Sequence, residues 1–225
     1  MPDQLTTPDL VTLTQPRSAA AEAYRTLRTG LEFSSLDHPL HSLVVTSSSP
    51  DEGKSTTVAN LAVALAQAGR RTVVVDADLR RPSLHSLFGL PNTAGLTSMI
   101  LDEAAAGQPP YQAGPVAGLR VLTSGPLPPN PAELLASCRL DDVLARLTQD
   151  ADIVLFDAPP LTAVSDAAVL AARVDGVILV VQAEKTRREA VQRAKKMLER
   201  VNAHLVGAVL TEVKGDRGMT YYGSE

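Results

Sequence analysis

Six short runs rich in β-branched residues, at 43–46, 72–76, 119–122, 153–157, 176–181 and 205–210, alternate along the chain with segments of helical periodicity. That alternation predicts a doubly wound α/β domain: a mostly parallel sheet with helices on both faces. Within 54–68, Val58, Leu61, Ala62 and Leu65 fall at i, i+3, i+4 and i+7, and Gly69 follows as a C-terminal stop. Further helices are expected at 19–33, 131–149, 165–173 and 187–201. The last carries Arg187, Arg188, Arg193, Lys195, Lys196 and Arg200 opposite a stripe of Ala190, Ala194, Met197 and Val201. Such a helix reads as a solvated outer face, with an anion-binding patch as the alternative.

The Ala-, Gly- and Pro-rich stretch 104–118 reads as a surface excursion, and 125–131 as a stiff turn. Neither marks a domain boundary. The expected organisation is a flexible N-terminal segment (1–17), one domain (18–213) and a polar, Gly-rich and therefore mobile tail (214–225).

Composition narrows the partners. A net charge of −4 and a pI near 5.6 give no support to a nucleic-acid binder, which usually carries a basic stripe. The single cysteine, Cys138, has no partner for a disulfide and no companions at metal-ligand spacing, and is expected to pack inside a helix in a reducing compartment. No apolar stretch approaches the roughly 20 residues that span a bilayer, and residues 1–17 lack a signal-peptide core. A cytoplasmic protein is expected, with membrane contact through a partner.

The chemistry is concentrated in three segments. Residues 43–56, Leu-Val-Val-Thr-Ser-Ser-Ser-Pro-Asp-Glu-Gly-Lys-Ser-Thr, read as a strand, a tight loop and a helix start. Backbone N–H groups after the strand and in the first helical turn converge on a polyphosphate. Lys54 is spaced to reach its β and γ oxygens, and the Ser55 hydroxyl to ligate Mg²⁺. Ser49, Asp51, Glu52, Gly53, Lys54, Ser55 and Thr56 are thus the candidate nucleotide contacts. The loop departs from G-x-x-x-x-G-K-[ST] at Ser48, where the first glycine belongs. Taken alone, it could be a simple helix cap.

Segments 73–82 and 153–160 place Asp76, Asp78 and Asp157 at the C-terminal ends of expected strands, the edge where open α/β sheets bind ligands. Each Asp could instead cap a helix or start a turn. All three beside a Lys-Ser phosphate loop read together as a nucleotide and metal site.

These segments resemble the bacterial tyrosine kinases of the capsular and exopolysaccharide type, the BY-kinases. The likeness runs from Ala19 to the end through Glu-Ala-Tyr-Arg-Thr-Leu-Arg (22–28), the phosphate loop (48–56), Asp-Ala-Asp-Leu-Arg-Arg-Pro (76–82), Gly-Pro-Leu-Pro-Pro-Asn-Pro-Ala-Glu-Leu-Leu (125–135), Phe-Asp-Ala-Pro-Pro (156–160) and Tyr221-Tyr222. The resemblance implies ATP and Mg²⁺ as cofactors. It implies Asp76 as acceptor of the tyrosine proton, and Asp78 and Asp157 as holders of the metal. Tyr221 and Tyr222 are then phosphoacceptors. Glu22, Arg25 and Arg28 match an element that joins subunits into a ring; spacing alone places them on adjacent turns of a solvated helix face.

By the same resemblance, protein tyrosines are the substrates and a separate membrane protein is the activator, recruiting the chain to the inner face of the plasma membrane. Asp51 replaces a glycine common in the family, Thr211 stands where an adenine-recognising Asn is frequent, and the tail holds only two tyrosines. A eukaryotic-type kinase is excluded by the absence of G-x-G-x-x-G, His-Arg-Asp and Asp-Phe-Gly. The rival is a positioning or partitioning ATPase on the same fold, a nucleotide switch; such proteins usually carry a second loop lysine at the position of Ser49. A weakly catalytic regulator that scaffolds polysaccharide assembly is a third reading.

Overall fold

The computed structural model describes residues 10–34 and 39–213. Its strands are β1 (Ser42–Ser47), β2 (Thr72–Asp76), β3 (Gln112–Ala113), β4 (Leu119–Leu122), β5 (Ile153–Asp157), β6 (Gly176–Gln182) and β7 (Leu205–Thr211). They form one sheet in the order β3-β4-β2-β5-β1-β6-β7, parallel throughout except for the β3–β4 pair. Every residue of β1, β2 and β5 is buried, as expected for central parallel strands covered on both faces.

Period-two alternation divides the core between the faces. Val44, Val73, Val75, Val154, Phe156 and Leu179 face one way. Leu43, Val45, Val74, Leu155, Ile178 and Val180 face the other.

The helices are α1 (Val11–Thr14), α2 (Ala19–Ser34), α3 (Lys54–Gln67), α4 (Leu84–Leu87), α5 (Leu96–Leu101), α6 (Glu103–Gly107), α7 (Pro131–Ala136), α8 (Arg139–Asp150), α9 (Asp166–Ala171) and α10 (Arg188–Arg200). α3 lies between the sheet and α2, which explains why it is buried continuously from Thr57 to Ala66 rather than along one stripe. α10 buries Ala190, Ala194 and Leu198 and leaves its arginines and lysines exposed, the solvated face that its periodicity implies.

Four features differ from the sequence expectation. Within the excursion at 104–118, β3 adds an antiparallel edge too short for any alternation to register. Residues 10–13, which fall inside the segment expected to be flexible, are packed: Leu10 is fully buried, and Thr12 donates its amide (3.1 Å) and hydroxyl (2.9 Å) to Asn60 Oδ1. The helix expected over 131–149 is broken between α7 and α8, where Ser137 is extended. Arg173 holds the break by donating to the Ser137 and Ala136 carbonyls at 2.9 and 2.8 Å. Cys138, expected to be packed, is exposed there because the break carries it away from the buried stripe. Residues 1–9 and the tail from 214 lie outside the described residues.

Candidate active site

β1 carries the chain to the top of the sheet, and the loop from Ser48 to Gly53 folds back before α3 begins at Lys54. The reversal needs left-handed backbone at two places: Asp51 at φ 59° and Gly53 at φ 84°. Glycine adopts this freely, whereas Asp51 does so at a cost of about 1 kcal/mol. β2 and β5 end in register at Asp76 and Asp157, so both carboxylates reach the same edge as the loop.

The Lys54 ammonium stands among them. Its Nζ lies 3.0 Å from Asp78 Oδ2 and 3.2 Å from Asp157 Oδ1, and it donates to Ser55 Oγ at 3.1 Å. Burial works against the Lys54 charge, but the Asp157 and Asp78 carboxylates outweigh it and leave the ammonium pKa raised. Burial raises the Asp157 pKa, although the Lys54 charge opposes that rise.

Asp76 is fully buried. Its Oδ2 accepts from the Ser83 and Leu84 amides, both at 2.9 Å, and its Oδ1 from the Asp78 amide at 3.3 Å. Burial, then the Asp157 charge, pushes its pKa from 3.8 up to about 7. An acid that holds its proton more tightly in the fold than in the unfolded chain favours the fold when protonated. Asp76 therefore withdraws stability as pH rises from 3.8 through about 7. In the metal- and nucleotide-free protein, Asp76→Asn is expected to gain on the order of 2 kcal/mol over the parent at about pH 8 and to lose that advantage near pH 5. Thermal unfolding at the two pH values checks this; an equal difference at both would contradict it.

A cleft of about 610 Å³ opens over these groups, within the roughly 300–1,000 Å³ usual for small-molecule sites. Asp51, Gly53, Lys54, Ser55 and Thr56 line it from the loop and α3, and Asp78 faces them. The structure thus brings together Lys54, Ser55, Asp78 and Asp157, with Asp76 sealed beneath.

Glu52 and Thr211 are placed differently from their expected nucleotide contact. Glu52 is 3% exposed and turned into the loop, where its carboxylate accepts from the Ser48 and Ser49 amides. The Thr211 hydroxyl donates to the Glu52 carbonyl at 2.8 Å, bracing the loop from behind. Ser49 is drawn into the same knot through its amide, and its carbonyl accepts from Ser47 Oγ.

On α2, Arg25 is clamped to Glu22 (2.7 and 2.6 Å), and Arg28 donates to the Ala64 carbonyl at 3.2 Å. In the single chain Glu22 and Arg25 pair with each other, whereas Arg28 Nε is buried without a hydrogen-bond partner among the described residues. Tyr221 and Tyr222 lie outside the described residues.

Sequence reading missed Arg80 and Arg81, which line the cleft directly after the Asp-x-Asp segment; Arg80 is held by the buried Asp166 at 2.8 and 3.1 Å. The Arg-Arg pair beside two candidate metal ligands was the available signal. It also missed Thr186, whose partner Glu52 is 134 positions away.

The donors suit magnesium. Two carboxylates and a hydroxyl offer oxygen alone, the preference of a hard cation. Asp157 Oδ2 is shielded from solvent without a hydrogen-bond partner among the described residues, a position that a cation would satisfy. Among the described residues no three His, Cys, Asp or Glu side chains gather to hold a metal unaided.

A family model described as ParA, NUBPL iron-transfer P-loop NTPase, matches residues 40–212. Tyrosine-protein kinase YwqD of Bacillus subtilis (strain 168) is 43% identical over 219 residues, covering 96% of this chain and 92% of that protein. The chain belongs to the bacterial tyrosine-protein kinase family of P-loop NTPases. Another relative in this kinase family is putative tyrosine-protein kinase CapB of Staphylococcus aureus, at 37% identity over 92% of this chain and 91% of that one. Among solved structures, the chimerical protein CapA2B2 matches with a TM-score of 0.84 at 39% identity, over 89% of this chain and 88% of that one. Among the described residues, no helix is long and apolar enough to cross a membrane.

Proposed function

We propose that this chain transfers the γ-phosphoryl group of Mg-ATP to protein tyrosines, including Tyr221 and Tyr222 of its own tail, and so regulates capsular or exopolysaccharide synthesis. The observation that carries the reading is the Lys54 ammonium held 3.0 and 3.2 Å from Asp78 and Asp157 at the start of α3. On nucleotide binding, Lys54 exchanges these carboxylates for the β and γ oxygens, and the amides of the loop and first helical turn cradle the phosphates. Ser55, Asp78 and Asp157 are the residues that would hold Mg²⁺, which neutralises charge developing on the phosphates.

The transition state of phosphoryl transfer is loose, so the tyrosine hydroxyl needs little deprotonation before the bond to ADP has largely broken. Asp76 takes the proton late. Its raised pKa of about 7 supports this role by narrowing the gap to a tyrosine near 10. Asp76 is sealed beneath the cleft in the nucleotide-free chain, so an incoming tyrosine has to displace part of its cover; Oδ1, with the longer bond of 3.3 Å from the Asp78 amide, is the oxygen more readily freed, since Ser83 and Leu84 both occupy Oδ2.

Glu22, Arg25 and Arg28 would exchange their internal partners for those of a neighbouring subunit, closing a ring homo-oligomer that presents each tail to the next site. A membrane activator protein, through its cytoplasmic segment, would recruit this cytoplasmic kinase to the inner face of the plasma membrane. The P-loop family match also suits a positioning-type ATPase, but Ser49 where such proteins usually carry lysine favours the kinase.

Replacing both tail tyrosines, Tyr221→Phe with Tyr222→Phe, is expected to remove most self-labelling while ATP binding persists. Phosphopeptide mapping after incubation with Mg-ATP decides it. Strong labelling elsewhere in the double variant would refute the tail assignment, and ADP release without phosphotyrosine in the parent would favour the switch.

A further inference from the structure

Glu52 sits where a nucleotide loop has least use for a negative charge, yet it is 3% exposed and gathers donors from three residues. Its carboxylate accepts from the Ser48 amide at 2.9 Å, the Ser48 hydroxyl at 2.9 and 3.0 Å, the Ser49 amide at 3.1 Å and the Thr186 hydroxyl at 2.6 Å. Thr186 belongs to the turn between β6 and α10 and is itself fixed there. Its hydroxyl accepts from the Gln182 amide at 3.0 Å, and its amide donates to the Gln182 carbonyl at 3.1 Å.

An acid beside a triphosphate is electrostatically adverse, so the benefit of Glu52 has to be geometric. By taking the Ser48 and Ser49 amides it closes the first half of the loop, and that closure sets where Gly53 to Thr56 stand. The departure from glycine at position 48 then has a physical account, since serine brings a hydroxyl to the same carboxylate. Thr211 pins the main chain of Glu52 from β7, while Thr186 pins its side chain.

We propose that Glu52, gripped by Ser48 and by Thr186, is the positioning residue that holds the phosphate loop in its nucleotide-binding shape, with Thr186 anchoring it to the β6–α10 turn. The inference rests on the nucleotide-site reading above and adds to it residues that touch no phosphate themselves.

The affinity of the full chain for Mg-ADP, measured by calorimetry, tests the proposal alongside thermal unfolding. Thr186→Val is expected to weaken binding about tenfold, the effect of losing one hydrogen bond to a charged group, and Thr186→Ser to restore it to within about twofold. Glu52→Ala removes the acceptor of the Ser48 and Ser49 N–H groups and is expected to weaken binding by more than tenfold. Because Ser48→Ala and Thr186→Val act through the same carboxylate, their combined effect is expected to fall short of the product of the two. A merely structural role would lower the unfolding temperature and leave the affinity of the folded protein unchanged. That result, failure of Thr186→Ser to restore binding, or fully multiplicative effects would overturn the inference alone. A parent chain that binds no Mg-ADP would overturn the nucleotide reading and this inference with it.

Discussion

Lys54→Met is expected to lower phosphotyrosine formation by on the order of 10²–10³-fold, the usual consequence of removing one preorganised charge from a phosphoryl-transfer site. Lys54 is the cation that Asp78 and Asp157 share, at 3.0 and 3.2 Å. Methionine leaves the two carboxylates facing each other without it. Asp157, already pushed above the ordinary aspartate range by burial, would hold its proton still more tightly. The variant therefore loses the ligand for the β and γ oxygens and compromises the metal side of the site together. Lys54→Arg is not expected to rescue it, because a planar guanidinium does not fit a gap that a point charge fills from two sides. Quantitative phosphotyrosine detection on equal amounts of folded protein checks both; near-parental labelling in Lys54→Met would exclude the assigned role.

The largest stability effect is expected at Gly95, far along the chain from the phosphate loop. Its neighbours Leu96 and Thr97 donate to the Thr123 and Ser124 carbonyls, both at 2.9 Å, prolonging the pairing beyond the end of β4. A Cβ at Gly95 would lie 1.9 Å from the Thr123 carbonyl oxygen and 2.5 Å from the Gly125 nitrogen. Both obstacles are backbone, so no side chain can swing aside. Gly95→Ala is expected to cost about 3 kcal/mol or more. Gly30, inside α2, has no neighbour within 4 Å of an added Cβ, and Gly30→Ala is expected to gain about 0.5–1 kcal/mol. Chemical denaturation of the two variants separates the outcomes; equal small shifts would mean that the Gly95 crossing is not rigid.

The sheet was legible because its central strands are buried on both faces, so that β2, β5 and β6 stand out as unbroken apolar runs with turn residues beside them. What stayed hidden is held by contacts that no local pattern carries. α1 depends on Leu10 and on Asn60 across 48 positions, and the break between α7 and α8 depends on Arg173. α4, α5 and α6 are too short for a helical period to repeat.

The same division runs through the site. Lys54, Ser55, Asp78 and Asp157 could be placed from sequence because strand ends and a helix start determine where they point. Glu52 and Thr211 could not, since spacing puts them near the loop without telling whether a side chain turns toward the cleft or into the fold. Asp76 was legible as a site residue, but its cover by the Ser83 and Leu84 amides depends on the path of the chain after β2.

The most direct measurement is mass spectrometry of the intact chain after incubation with Mg-ATP, with a parallel sample in which the metal is chelated. Phosphate on Tyr221 or Tyr222 in the first sample and none in the second is the predicted result. Nucleotide consumed with every tyrosine unmodified, or labelling indifferent to the metal, would contradict a magnesium-dependent tyrosine kinase built around Lys54, Asp78 and Asp157.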